Sequence, residues 1–454
     1  VGRAPPRSLE ERLAAGKALR VKTPRTAHAD WRPPEGRKNP VAILRAGDEG
    51  RVPQLVPIRY GRMLASPFAF YRGSAAIMAA DLATTPVSGL RVQACGDCHL
   101  MNFGGFATPE RNVLFDINDF DETLPAPWEW DLKRLTASFV LAARSQSLSD
   151  SQARDAAVEC ARSYRKHVHD YARMHPLDVW YARVTQEDVL AAIPARDRAR
   201  LKARLDKAMK QAGSDVDFPK LTDMVGGRLS IRDTPPLIFH PDVTREPDFG
   251  ARTERLLAAY RETLPEDRRS LLDAYHPVDA AMKVVGVGSV GTRCWIALLM
   301  SASNEPLFLQ AKQAVASVLE SFAGKSAYAH HGERVVMGQR LMQPASDMFL
   351  GWVTGVDGAH YYIRQLRDVK IKPLVEVFDY PMLMAYAKMC GWVLARAHSK
   401  AGDAAEIAGY IGSSDQLDEA LADFSIAYAD QAERDHAALK AAVRKGDIAV
   451  YEEA

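Results

Sequence analysis

Val284-Val285-Gly286-Val287-Gly288-Ser289-Val290-Gly291-Thr292-Arg293-Cys294-Trp295-Ile296-Ala297-Leu298-Leu299 is the stretch on which the fold turns. An apolar strand enters Gly286-x-Gly288-x-x-Gly291. A dinucleotide turn with this glycine spacing needs a helix directly after it. Here Arg293 to Leu299 reads as a second strand, because aromatic and β-branched residues favour the pleated conformation. Strand, glycine loop and strand together suit a lid whose backbone covers the phosphates of ATP. Leu307 to Ala311 forms a third strand and ends at Lys312, whose charge could meet the α- and β-phosphates. Gly286, Gly288, Ser289, Gly291 and Lys312 are therefore the nucleotide-binding candidates. The plainer alternative is a hairpin with a solvated lysine at its edge.

Outward from this hairpin, a helix is expected from about Glu333 to Gln343, and either Glu333 or Glu320 could pair with Lys312. Residues 348–366 read as two strands joined by the Gly355–Gly358 turn. The polar run Arg364-Gln365-Leu366-Arg367-Asp368 and Lys370 could contact phosphate, substrate or the opposite lobe. Long helical patterns flank the strand-rich part, at 150–205, at 252–275 and over the last 75 residues. No repeat of 20–50 residues occurs, which excludes a solenoid. The pattern predicts a two-lobed α+β protein. Its divisions are a basic N-terminal arm at 1–40, a helical large lobe at 41–281, a strand-rich small lobe at 282–368 and closing helices at 369–454. The arm is expected to be mobile or loosely docked.

Upstream, Gly89 to Cys95 reads as a short strand that delivers Asp97 and Asn102, five residues apart, onto a loop. A carboxylate there can orient a hydroxyl or accept its proton, and an amide oxygen can bind Mg²⁺. Val113 to Asn118 reads as another strand, whose end is crowded by Asp119, Asp121 and Glu122. Asp119 is the candidate metal carboxylate, with Asp116, Asp121 and Glu122 competing. Magnesium takes hard oxygen ligands and shares them with phosphates, so this set points to phosphoryl transfer. Turn capping by Asp97 and Asn102 is the structural alternative. Cys95-x-x-Cys98-His99 raises a third possibility, thiol or zinc chemistry, but no second cysteine pair accompanies it. His398 reads as a helix-end structural residue.

The run Cys95 to Gly104, with Phe115-Asp116-Ile117-Asn118-Asp119-Phe120-Asp121-Glu122, resembles the DUF2252 family, which is similar to protein-kinase-like and aminoglycoside-phosphotransferase-like proteins. The resemblance spans about residues 40–440. It implies that Asp97 is the catalytic aspartate, that Asn102 and Asp119 bind metal, and that Asp131 supports the catalytic loop from a helix start. It also implies ATP and Mg²⁺ as cofactors and an unknown phosphate acceptor. Cys95 stands where the phosphotransferases carry histidine. The glycine loop follows the catalytic loop by about 190 residues, so the resemblance implies a permuted kinase-like order.

Composition sets the outer bounds. The 454 residues are 47% hydrophobic, enough for a sizeable core. The 59 basic and 57 acidic residues nearly cancel, which gives no sign of a general nucleic-acid surface. No apolar run reaches the length of a membrane span, and five scattered cysteines make no secreted disulfide framework, so a cytoplasmic protein is expected. Three functions stay open: an ATP- and Mg²⁺-dependent phosphotransferase on a small molecule or protein, a nucleotide-binding regulator without turnover, and a thiol or zinc enzyme built on Cys95, Cys98 and His99.

Overall fold

The computed structural model describes residues 7–210, 214–366 and 370–451. It is a mixed α/β protein with several small sheets. The largest sheet has six strands in the order Gly351–Thr354, His360–Gln365, Pro306–Ala314, Cys294–Ser301, Tyr275–Lys283 and Ile238–Phe239. Every pairing in it is antiparallel. Its central strands are apolar at successive positions because both faces are covered. Leu299, Leu307 and Leu309 pack with Tyr260 and Phe349 on one side. Ile296, Leu298 and Phe308 pack with Ile238 and Leu366 on the other.

The strands on either side of the glycine loop form the hairpin expected from the sequence, and Gly286 opens no helix. Lys312 lies within its strand rather than after it, flanked in register by Cys294 and Tyr362. The helix expected at Glu333 to Gln343 spans His331–Met342. The helix expected over 252–275 is instead two, Phe249–Arg261 and Glu266–Leu272, with Pro265 between them. Tyr275 already belongs to a strand. Arg367 and Asp368 lie outside the described residues.

The helical body is built on Trp128–Ser145, Asp150–Arg173, Tyr380–Ala401 and Gln416–Arg444. Ser149 and Gln152 cap the second of these reciprocally, which satisfies amide groups that the helix itself cannot. The first is buried from Trp128 to Ala143, polar residues included. A buried ion pair, Arg396 Nη2 to Asp116 Oδ2 at 2.8 Å, ties the third helix to the strand Val113–Ile117. Two short sheets lie beside this body. One pairs Arg91–Ala94 with Leu124–Pro127, and the other joins Phe103–Ala107 to Val113–Ile117 and Lys370–Ile371. Among the described residues no helix is long and apolar enough to cross a membrane.

The N-terminal segment from residue 7 is docked rather than loose. Ser8 and Glu11 cap the helix Leu9–Ala18, which packs on the helix Ala404–Ile411. Its arginines serve this contact: Arg20 Nε donates to Tyr410 O and Arg25 Nη1 to Ile411 O, each at 2.7 Å. These are carbonyls at a helix C-terminus, which lack intrahelical donors. Gly16 permits the approach, since a Cβ there would lie 1.9 Å from Glu406 O. Gly16→Val is expected to lower stability by about 1–3 kcal/mol, the usual cost of overpacking. Urea denaturation checks this, and an unchanged midpoint would mean that the docked segment adds nothing to the fold.

Candidate functional site

One face of the helix Trp128–Ser145 holds the loop after Arg91–Ala94. Asp131, Arg134 and Ser138 are spaced at three and four residues and so point the same way. Asp131 accepts from the amides of Cys95 (2.7 Å) and Gly96 (3.0 Å), and Ser138 Oγ accepts from Leu100 N (3.0 Å). Arg134 donates through Nε to Asp97 Oδ1 at 2.7 Å and through Nη2 to the same oxygen. Gly96 has φ +83°, and a Cβ there would meet Glu122 O at 2.3 Å, so the loop requires glycine at this point. Asn102 Nδ2 closes the loop by donating to Asp97 O at 2.7 Å. Asp97 Oδ2 faces His99 Nε2 at 3.7 Å. Burial raises the Asp97 pKa, while Arg134 and then Arg72 oppose the rise.

The second group of acids follows Val113–Ile117. Asp121 N donates to Asp119 Oδ1 at 3.2 Å. Lys312 Nζ reaches Asp121 Oδ2 at 2.7 Å, and Tyr362 Oη donates to Asp121 Oδ1 at 2.5 Å. Lys312 thus pairs with Asp121, not with either glutamate considered from the sequence. Glu320 faces Lys325 at 3.4 Å, and Arg334 beside Glu333 donates to the carbonyls of Thr123, Asp121 and Val315. Asp119 and Asp121 are pushed apart in acidity. Burial, then the Asp121 charge, raises Asp119. Asp121 is lowered because Lys312, Tyr362 and Arg364 overcome its burial.

These groups share one cavity of about 980 Å³ with the glycine loop. Asp97, Asn102, Asp119, Lys312, Gly286, Gly288 and Ser289 all line it. Gly291 lies outside the lining and packs on Arg51. Ser289 Oγ donates to Val285 O at 3.1 Å, and Arg62 Nη1 donates to Gly286 O at 2.5 Å, which fixes the loop against the helix Val56–Leu64. Arg72, Arg364 and Lys372 also line the cavity. Of these, Arg364 belongs to the polar run read from the sequence without a settled role, and Lys372 had no place in that reading. The basic residues stand against Asp97, Asp119, Asp121 and Glu122, so the cavity offers hard oxygen donors and anion-binding groups side by side.

A family model described as an uncharacterized protein conserved in bacteria, DUF2252, matches residues 51–442. The chain belongs to the DUF2252 family. The matched part of this DUF2252 chain contains both acidic groups, the glycine loop and Lys312, and it leaves out the docked helix Leu9–Ala18. Searches of curated proteins and of solved structures return no match.

Two further features qualify the site in this DUF2252 protein. Cys95, Cys98 and Asp131 bring ligand atoms within 4.8 Å of one another, but His99 stands apart, against Asp97. Both thiols are buried, which pushes Cys98 up to about 12 and Cys95 well above an ordinary thiol. Buried thiols held in this form are poor nucleophiles. Glu122 accepts from Val318 N at 2.7 Å, yet burial pushes its pKa up to about 7. Stability from the neutral acid is complete below the ordinary value of 4.5 and is lost as pH rises through about 7. Glu122→Gln is expected to flatten the melting temperature between about pH 5 and pH 8. A slope equal to the parent's over that interval would assign the pH dependence elsewhere.

Proposed function

We propose that this DUF2252 protein is an ATP- and Mg²⁺-dependent phosphotransferase acting on a small-molecule or protein acceptor. In this reading the fold is two-lobed and kinase-like in permuted order, with residues 282–368 as the nucleotide lobe. Its main support is that the Lys312–Asp121 ion pair sits in the wall of the cavity shared by the glycine hairpin, Asp97, Asn102 and Asp119. Lys312 and the amides of Gly286 to Ser289 would bind the polyphosphate. Asp97 would orient the acceptor hydroxyl and take its proton through Oδ2, the oxygen that Arg134 leaves open. The Asn102 amide and the Asp119 carboxylate form a hard-oxygen set that fits magnesium. The ion, when bound, offsets the charge of the phosphates.

A nucleotide-binding regulator without turnover is the second reading. It is favoured by the two Arg134 donors that occupy Asp97 Oδ1 and leave only Oδ2 for a hydroxyl. The zinc alternative has little to draw on, because Asp131 already accepts two amides and faces His398 Nε2 at 3.3 Å. ADP release measured across a broad acceptor screen separates transfer from passive binding. Asp119→Asn is expected to weaken Mg²⁺-dependent ATP binding by about 10–100-fold or more, the scale seen when metal sites are disturbed. Equal ATP affinity with and without Mg²⁺ in the parent would end the metal assignment.

A further inference from the structure

A second, smaller cavity of about 260 Å³ adjoins the first, and Arg204, Ile371 and Lys372 line both. It lies on the far side of the strands Phe103–Ala107 and Lys370–Ile371, between the helix Ala195–Lys210 and the start of Tyr380–Ala401. Its walls are apolar, with Phe115, Val189, Leu201, Phe378 and Met382 among them. At its mouth Leu374 and Val377 are 42% and 65% exposed, apolar side chains left to solvent next to an apolar pocket. A cavity of this size suits a ring system or a short acyl chain.

The charges at the rim are not balanced. Asp197 and Asp379 are both taken by Arg196, the first at 3.4 Å, and Asp379 also caps Met382 N at 3.1 Å. Arg200, Arg204 and Lys372 make no ion pair among the described residues, and Lys372 feels a nearby carboxylate, Asp119 in the larger cavity. Arg204 Nη2 donates to Lys372 O at 2.7 Å, which holds the two cationic residues together where the cavities meet. A pocket with an apolar interior and a cationic lip recognises an amphipathic anion.

We infer that this pocket takes the apolar body of a small amphipathic acid, whose anionic end rests against Arg204 and Lys372 and whose hydroxyl reaches the Asp97 cavity. The inference rests on the phosphotransferase reading in naming that molecule the acceptor. The pocket itself can be tested without turnover.

Two probes share one ring system: anilinonaphthalene sulfonate, which is anionic, and N-phenylnaphthylamine, which is neutral. Each is titrated by fluorescence into the full chain. Both should bind saturably to the parent. Leu201→Trp should weaken both by at least about tenfold, and Arg204→Gln should weaken only the sulfonate, by about tenfold. Met382→Trp fills the same space from another helix and replaces Leu201→Trp if that variant loses its folded melting transition. Unsaturable binding to the parent, or equal binding to parent and filled variants, overturns the inference. So does ADP release confined to uncharged polar acceptors and unaffected by the filled pocket. Probe binding in the expected pattern without ADP release from any acceptor supports the subsite and counts against the phosphotransferase reading alone.

Discussion

Asp97→Asn is expected to lower acceptor-dependent ADP release by about 10²–10⁴-fold, the usual scale of general acid–base participation. Affinity for Mg²⁺ and ATP should change little, because Lys312, the glycine hairpin and Asp119 are untouched. The substitution has a second cost. Arg134 is 2% exposed and spends two donors on Asp97 Oδ1. The asparagine oxygen can still accept, but the charge is gone, and a hydrogen bond to a charged group contributes about 1.5–3 kcal/mol. Turnover must therefore be measured well below the variant's own melting temperature. Turnover equal to the parent's in folded Asp97→Asn would remove Asp97 from the chemistry.

Asp131→Ala should have the largest effect on stability, about 3–5 kcal/mol. Asp131 is 1% exposed, and its removal leaves the Cys95 and Gly96 amides without acceptors, each at about 1–3 kcal/mol. His398 loses a contact as well. Asp131 is a positioning residue, since it acts on the loop that carries Asp97. Its loss should lower kcat more than it raises KM for ATP, because the glycine hairpin does not depend on it. Asp131→Asn keeps one acceptor oxygen and should restore part of both stability and kcat. A stability loss with kcat unchanged would reduce Asp131 to a purely structural support.

What the sequence made legible was local. The hairpin around Gly286 followed from strand residues on both sides of a glycine run, and residues 348–366 followed from a turn between two apolar segments. The partner of Lys312 was not legible, because Asp121 lies 191 positions away and only the sheet's placement decides which acid it meets. Glu333 and Glu320 were closer in sequence, but neither makes an ion pair with Lys312, and Glu320 faces Lys325. Arg134 was missed although a signal existed. Asp131, Arg134 and Ser138 recur at three and four residues on a buried helix, which marks one face turned toward a polar neighbour, although Glu129, Lys133 and Thr136 place further polar groups elsewhere on it. The N-terminal segment was misjudged for the opposite reason. Its arginines look solvated in one dimension, and their carbonyl acceptors belong to a helix almost 400 positions later.

The burial of Asp131 against His398, and of Asp116 against Arg396, also sets an order of events during synthesis. The helix that completes the surroundings of the acidic loop is made some 300 residues after that loop. At about 5–20 residues per second, that is a wait of about 15–60 s. Through that interval the nascent chain holds Asp116 without its arginine and Asp131 without its histidine. The two buried pairs that hold the acidic loop therefore form only once the helix Tyr380–Ala401 has been made.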